Sequence, residues 1–282
     1  MIYTIKHLCY AIKSSEHELD EIIANIDSYY YHTIVPKTKY GDFQRDENSG
    51  QIKYRKLTPS TKRLKNIHKK INLFLQQIQL PNYVFGAVTG KNNIKNALQH
   101  IDNTYFFSID LKDYFSRINN KQVFNMFLQN GFSSTISKKL TQLTTYEGKL
   151  PQGPPTSPII SNLVFKETGE RLLELCKIYK VIFTSYLDDL TFSSANDFKF
   201  LIPEFVNIIT EGKFCINYKK VFYKKNKPEI TGLIIKNKML YLVESMRQKG
   251  IDDPSYNKYL KSYLKLIKTS LTNHRNSRND VD

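Results

Sequence analysis

The sequence predicts an α+β chain, and three observations carry that prediction. Apolar, β-branched and aromatic runs ending at Asp110 and flanking Asp188–Asp189 read as short strands. Apolar residues at helical spacing read as amphipathic helices: Leu64, Ile67, Ile71, Phe74, Leu75 and Ile78, and again Tyr256, Tyr259, Leu260, Tyr263, Leu264 and Ile267. No fixed-period repeat and no Pro/Gly/Ser-rich linker divides the 282 residues, so strands and helices share a core of two or three subdomains.

The elements follow in order. Residues 1–30 read as helical, with acids clustered at Glu16–Glu21. The polar, Gly-punctuated stretch 37–50 reads as a hairpin turn or a flexible loop. Residues 51–70 carry eight Lys/Arg and no acid, and their second half is helical. Lys62, Arg63 and Lys65 fall mostly off its apolar face, which suits phosphate contact; a solvated charged face is the alternative. A strand, Tyr105–Ile109, ends at Asp110. Helices are expected at 120–130 and 134–146, ending near Gly131 and Gly148. The turn "LPQGPPTSP" opens a long helix, with Ser157 suited to the N-cap and Pro158 to the first helical position. Two strands flank Asp188–Asp189, a helix follows near 197–211, and "ITGLIIKNKMLYLV" reads as a hairpin across "KNK". In the tail, Lys258, Lys261, Lys265 and Lys268 form a basic stripe beside the apolar one. It suits a nucleic-acid backbone or plain solvation equally.

The net charge of +16, from 42 basic and 26 acidic residues, makes a polyanion the simplest partner, and nucleic acid is the commonest polyanion. Cys9, Cys176 and Cys215 stand far apart, with no CxxC, so neither a zinc site nor a disulfide framework is indicated. The N-terminal stretch has no apolar signal region, and no apolar run approaches the roughly 18–20 residues of a membrane span. A cytoplasmic chain without membrane contact is expected.

The chemistry concentrates in the acids. Asp110 ends one apolar strand, and Asp188–Asp189 sits at the tip of an apolar hairpin. Neighbouring carboxylates repel, so a cation is their natural compensation. Hard oxygen ligands without His or Cys favour Mg²⁺, and two such ions about 4 Å apart can activate a hydroxyl and stabilise a leaving pyrophosphate. Taken alone, "LDD" would be an Asp-rich turn. The loop at 150–158 lets backbone approach a flat ligand and places a helix N-terminus behind it.

"FFSIDLKDYF", "LPQGPPTSPIISN" and "YLDD", in this order, resemble motifs A, B and C of reverse transcriptases, within a resemblance running from about residue 30 to about residue 245. The resemblance implies a right-hand polymerase fold with an antiparallel-sheet palm of split βαβ type. It divides the chain into fingers at 1–100, the first palm strand with motif A at 101–119, fingers and palm helices at 120–150, palm at 151–235 and a compact helical thumb at 236–282. It leaves no RNase H, maturase or endonuclease domain in these residues. Asp110, Asp188 and Asp189 match the metal-binding aspartates, with Asp188 the stronger direct ligand. Leu111 would offer its carbonyl to a metal. Phe115 matches the steric gate against a 2′-hydroxyl, and Gln152 and Gly153 match positions lining the nucleotide. Arg55 and Lys56 fall where the fingers grip triphosphate, and Tyr186 near the primer end. "INYKK" resembles motif D, with Lys220 as general acid to the pyrophosphate and Lys219 as its competitor. The implied cofactor is a pair of Mg²⁺ ions, with Mn²⁺ as a substitute.

"NALQH" resembles the NAxxH signature of retron reverse transcriptases, and "ITGL" their VTG element, with Ile230 in place of Val. "YRKLTPSTKRLKNIH" resembles their fingers pattern, with His68 where Gln is usual. The retron resemblance implies deoxynucleoside triphosphate substrates and a cognate structured noncoding RNA. Part of that RNA would be copied into multicopy single-stranded DNA, primed from an internal guanosine 2′-hydroxyl and left joined as an RNA–DNA product. RNA-binding residues would be Lys62, Arg63, Lys65, Asn96, His100, Thr231, Gly232, Lys258, Lys261 and Lys265. By analogy an effector protein and a role in antiphage defence follow. Another defence-associated or group II intron-like enzyme is the alternative. A non-catalytic RNA-binding scaffold is disfavoured because all three acids are present. Leu187 stands where Ala is common, and Pro154–Pro155 should stiffen the motif B loop.

Overall fold

The structure, a computed structural model, describes residues 2–39, 42–46 and 48–279; Tyr40, Gly41 and Glu47 of the expected 37–50 hairpin lie outside them. Two helices begin the chain, α1 (Ile5–Ile12) and α2 (Glu16–Ala24), separated by Lys13 in the left-handed region at φ 48°. The Ser15 hydroxyl caps α2 by accepting from the Glu18 amide. Strands β1 (Thr33–Pro36) and β4 (Tyr54–Leu57) pair antiparallel, with the short β2 (Thr38–Lys39) and β3 (Asp42–Phe43) between them. Helix α3 (Lys62–Leu75) buries Leu64, Ile67, Ile71 and Leu75 on one face, as its spacing predicts.

Helix α4 (Asn93–Leu98) precedes β5 (Tyr105–Asp110), α5 (Tyr114–Arg117), α6 (Asn120–Gln129) and α7 (Ser134–Thr144). The long α8 (Ser157–Ile178) leads into the hairpin β6 (Ile182–Tyr186) and β7 (Asp189–Ser194). Then come α9 (Ile202–Glu211), β8 (Phe222–Lys225), β9 (Glu229–Ile230), the hairpin β10 (Leu233–Lys236) and β11 (Met239–Leu242), and the helices α10 (Glu244–Asp252) and α11 (Pro254–Asn279). Asn237 and Lys238 both adopt positive φ, the geometry a two-residue hairpin turn demands.

The centre is a four-stranded antiparallel sheet in the order β6-β7-β5-β8. Strand alternation gives it two different faces. Phe107, Ile109, Phe183, Leu190 and Phe192 enter a core closed by α8 and α9, where Phe205 stacks on Phe192 at 4.3 Å. Phe106 points the other way, into a second core with Ile94, Leu98, Leu233, Leu242, Leu260 and Ile267. Each fully buried ring contributes about 1.5–3 kcal/mol, so the aromatic stack fixes the sheet firmly against α9.

Several local expectations change. Thr156, not Ser157, occupies the cap of α8, because the Ser157 hydroxyl donates instead to the Pro151 carbonyl at 2.6 Å. The expected 197–211 helix is a 3₁₀ turn, Lys199–Leu201, followed by α9. In α11 the buried stripe is Leu260, Ile267 and Leu271; Tyr259 and Leu264 lie in the open.

His100 is fully buried, with Nδ1 at 2.6 Å from the Ser193 hydroxyl and Nε2 at 2.8 Å from the Thr184 hydroxyl. It ties the segment after α4 to β6 and β7. Burial holds its pKa down at about 3, and that of buried His68 at about 4. Both folded values lie below the unfolded value, so the unfolded chain binds more protons as pH falls below about 6.5. Stability should therefore decline from pH 6.5 toward pH 4, by up to about 1.4 kcal/mol per pH unit per histidine. Urea denaturation across that range checks it. His100→Ala should cost about 2–4 kcal/mol at neutral pH and flatten the decline.

Candidate active site

Antiparallel register builds the site. Pairing β5 with β7 sets Asp110 directly opposite Asp189, and the β6–β7 turn puts Asp188 beside both. The turn is tied across: the Leu111 amide donates to the Asp188 carbonyl at 2.8 Å. Leu187 takes φ 56° at this turn, an unusual conformation for a branched side chain. Gly86 presses against it from outside; a Cβ at Gly86 would stand 2.6 Å from the Leu187 amide nitrogen. The Asn162 amide of α8 holds the Gly86 carbonyl at 2.8 Å, and Phe85 and Tyr83 exchange backbone hydrogen bonds with Ser185. The turn is therefore clamped on two sides.

Asp110 is the most enclosed of the three acids. Its Oδ1 accepts from Lys220 Nζ at 2.5 Å and its Oδ2 from Asn217 Nδ2 at 3.1 Å. Burial works against the Lys220 charge, but the hydrogen bond and the Asp110 carboxylate outweigh it and raise its pKa. Asp188 is half-buried, and Asp189 reaches solvent although protein atoms crowd it on most sides. Burial first, then the Asp110 charge, raises the Asp188 pKa, against the pull of Lys220 and Arg55. Burial, then the charges of Asp188 and Asp110, pushes Asp189 up to about 7. The pair lacks sufficient counter-charge.

Among the described residues no three Asp, Glu, His or Cys side chains form a ready metal cage. The donor set nonetheless fits a hard divalent cation. It offers only oxygen, and burial first, then neighbouring carboxylate charge, raises the pKa of two of its carboxylates, a cost a bound cation would offset.

The other expected residues divide. Phe115 is half-buried, edge-on to Tyr114 at 5.5 Å. The Gln152 carbonyl accepts from the Thr58 amide at 2.8 Å, joining the end of β4 to the loop before α8. Gly153, at φ 134°, would bring a Cβ within 3.2 Å of the Pro59 nitrogen, so this loop conformation requires glycine. Arg55 and Lys56 are exposed on β4, and the Arg55 charge reaches Asp188. Tyr186 is half-buried beside Asp189, and its phenol interacts electrostatically with Tyr263 of α11. Of the two candidate lysines, Lys220 reaches Asp110, and Lys219 makes no such contact.

Among the expected RNA-binding residues, Lys62, Lys65, Lys258, Lys261 and Lys265 are exposed. Arg63 is committed elsewhere: its guanidinium bonds Glu18 at 3.1 Å, Glu21 at 3.0 Å and the Tyr29 hydroxyl at 2.9 Å. The acids missing from 51–70 come from α2. Asn96 and His100 are buried at 1% and 0% exposure, too deep to touch RNA. Gly232 is also buried, and Thr231 is half-buried against Asn93 and Asn96. These residues join α4 to the β9–β10 turn. Asn217, which holds Asp110 by both side chain and backbone, was missed; its place inside "INYKK" was the only signal.

Residues 35–235 match the reverse transcriptase (RNA-dependent DNA polymerase) family. Over 170 residues, 57% of this chain and 52% of the relative, the sequence is 31% identical to the retron Ec86 reverse transcriptase of Escherichia coli. Over 216 residues, 72% of this chain and 56% of the relative, it is 30% identical to the retron Se72 reverse transcriptase of Salmonella heidelberg (strain 579083-10). The chain spans about half the length of these curated relatives. The chain belongs to the reverse transcriptase (RNA-dependent DNA polymerase) family, and within it resembles the retron reverse transcriptases.

Proposed function

We propose that this chain is a retron reverse transcriptase. It would copy part of a cognate structured noncoding RNA into single-stranded DNA, priming from an internal guanosine 2′-hydroxyl and leaving RNA and DNA joined. The observation that carries the reading is the meeting of Asp110, Asp188, Asp189 and Lys220 at one end of the central sheet. In this reading the sheet with α8 and α9 is the palm, residues 1–100 supply most of the fingers, and 236–282 form the thumb. By family analogy this reading includes a partner effector and a role in antiphage defence, and from the sequence a cytoplasmic location. Among the described residues no helix is long and apolar enough to cross a membrane.

Asp110, Asp188, Asp189 and the Leu111 carbonyl would hold two divalent ions, Mg²⁺ or Mn²⁺. When bound, such ions lower the pKa of an attacking hydroxyl and neutralise charge on the pyrophosphate. Lys220, released from Asp110, would carry a proton on Nζ toward the leaving pyrophosphate. Arg55 and Lys56 would bind triphosphate oxygens, Gln152 and Gly153 would line the base, and Tyr186 would orient the primer end. The Phe115 ring would fill the space a ribose 2′-hydroxyl needs.

The double variant Asp188→Asn/Asp189→Asn should lose DNA synthesis by on the order of a thousandfold while keeping RNA affinity within about twofold. Primer extension and filter binding on the same preparation measure both, and continued synthesis would remove the metal assignment. Phe115→Val should increase ribonucleotide incorporation by on the order of tenfold, read as the ratio of kcat/KM for ribo- and deoxynucleotides; an unchanged ratio would end the gate role.

Protons and cations compete for Asp188 and Asp189, whose pKa values are raised, the latter to about 7. Deprotonation of Asp189 between pH 6 and pH 8 frees its carboxylate, so Mn²⁺ affinity should rise on the order of tenfold over that interval. Calorimetric titration at each pH checks this, and a pH-independent affinity would separate these acids from metal binding.

A further inference from the structure

A cleft of about 380 Å³ lies between α11, α10, the Thr231–Gly232 turn and the start of α4. One wall is a ladder of tyrosines at positions i, i+3 and i+7 of α11. Tyr256 and Tyr259 have ring centroids 5.6 Å apart, and Tyr259 and Tyr263 stack at 5.9 Å with 10° between planes. The outer rings are anchored. Tyr263 accepts a hydrogen bond from Asn93 Nδ2 at 2.7 Å, and the Lys249 ammonium lies 5.2 Å from the centre of the Tyr256 ring. The middle ring, Tyr259, is 52% exposed and contributes little to the core. A rigid aromatic surface left open beside a polar wall is suited to a flat, partly polar ligand.

The polar wall narrows the choice. Asn93 Nδ2 also donates to the Thr231 carbonyl at 3.0 Å, so both of its protons are used. The Asn93 Oδ1 remains as the acceptor of that amide. Lys258, Lys261 and Lys265 are exposed on the same helix, on the side turned away from the tyrosines.

We propose that this cleft takes a single unpaired nucleobase from the bound RNA, stacked on Tyr259, with an exocyclic amino group donating to Asn93 Oδ1. A uracil, which has no exocyclic amine and whose N3–H is flanked by two carbonyls that an acceptor oxygen repels, fits less well than adenine, cytosine or guanine. The proposal rests on the RNA-binding reading above and adds a base-recognition site to it. It also gives the region around the "NALQH" and "ITGL" elements a contact with RNA made by Asn93 and the tyrosines, while Asn96 and His100 serve inside the protein.

The test uses the full chain without nucleotide and three RNA hairpins: fully paired, with a one-adenosine bulge, and with a one-uridine bulge. The adenosine bulge should bind about tenfold more tightly than the paired hairpin, and 2-aminopurine placed at the bulge should be quenched on binding. Tyr259→Ala should remove that advantage, whereas Tyr259→Phe, which keeps the ring, should hold it within about twofold. Equal affinity for bulged and paired hairpins, or an equal loss on all three with Tyr259→Ala, overturns the site. Equal binding of the uridine and adenosine bulges overturns the Asn93 contact. Failure of the paired hairpin to bind at all would count instead against the RNA-binding reading itself.

Discussion

The antiparallel pairing of Tyr105–Asp110 with Asp189–Ser194 is the constraint on which the rest depends. Its register sets Asp110 across from Asp189, and a one-residue slip would send one of the two to the opposite face of the sheet. The aromatic stack of Phe107, Phe192 and Phe205 resists such a slip, because it would expose rings now buried on α9. The same pairing leaves the Leu111 amide facing the Asp188 carbonyl, so the third acid is placed by backbone rather than by its own side chain.

Around this register the protein tolerates stored charge. Burial and the Asp110 charge raise the pKa of both Asp188 and Asp189, and Lys220, with Arg55 at Asp188 and Lys39 at Asp189, offsets them only in part. The Lys220 ammonium bonds one oxygen of Asp110, and the Asn217 amide bonds the other. The opposite face of the sheet is secured by a neutral network, His100 with Ser193 and Thr184, whose burial keeps the imidazole uncharged. The enclosed His100, Ser193 and Thr184 groups are neutral and hydrogen-bonded to one another, as a low-dielectric interior requires.

Much of this was legible in the sequence. The strands carrying the acids, the helices at 62–75, 120–129 and 134–144, and the hairpin across "KNK" follow from apolar periodicity and turn chemistry. Less legible was the purpose of polar side chains. Arg63 looked free because its own segment holds no acid, yet Glu18 and Glu21 arrive from α2, some forty residues away. Asn96 and His100 looked like RNA contacts, and tertiary packing turns them inward against Thr231, Thr184 and Ser193. Tyr259 read as part of a core stripe, but the neighbouring elements cover only the Leu260 and Ile267 side of α11.

By itself the sequence determined the element types and the presence of three carboxylates on strand ends, because periodicity and strand termini are local properties of the chain. Only the tertiary structure decided that these carboxylates share one corner of one sheet, that Lys220 and not Lys219 answers Asp110, and that Leu187 is held in a left-handed turn by Gly86. The reason is physical. Which charge meets which, and how far each is removed from water, depends on segments distant in sequence brought into register, and no short window of residues carries that information.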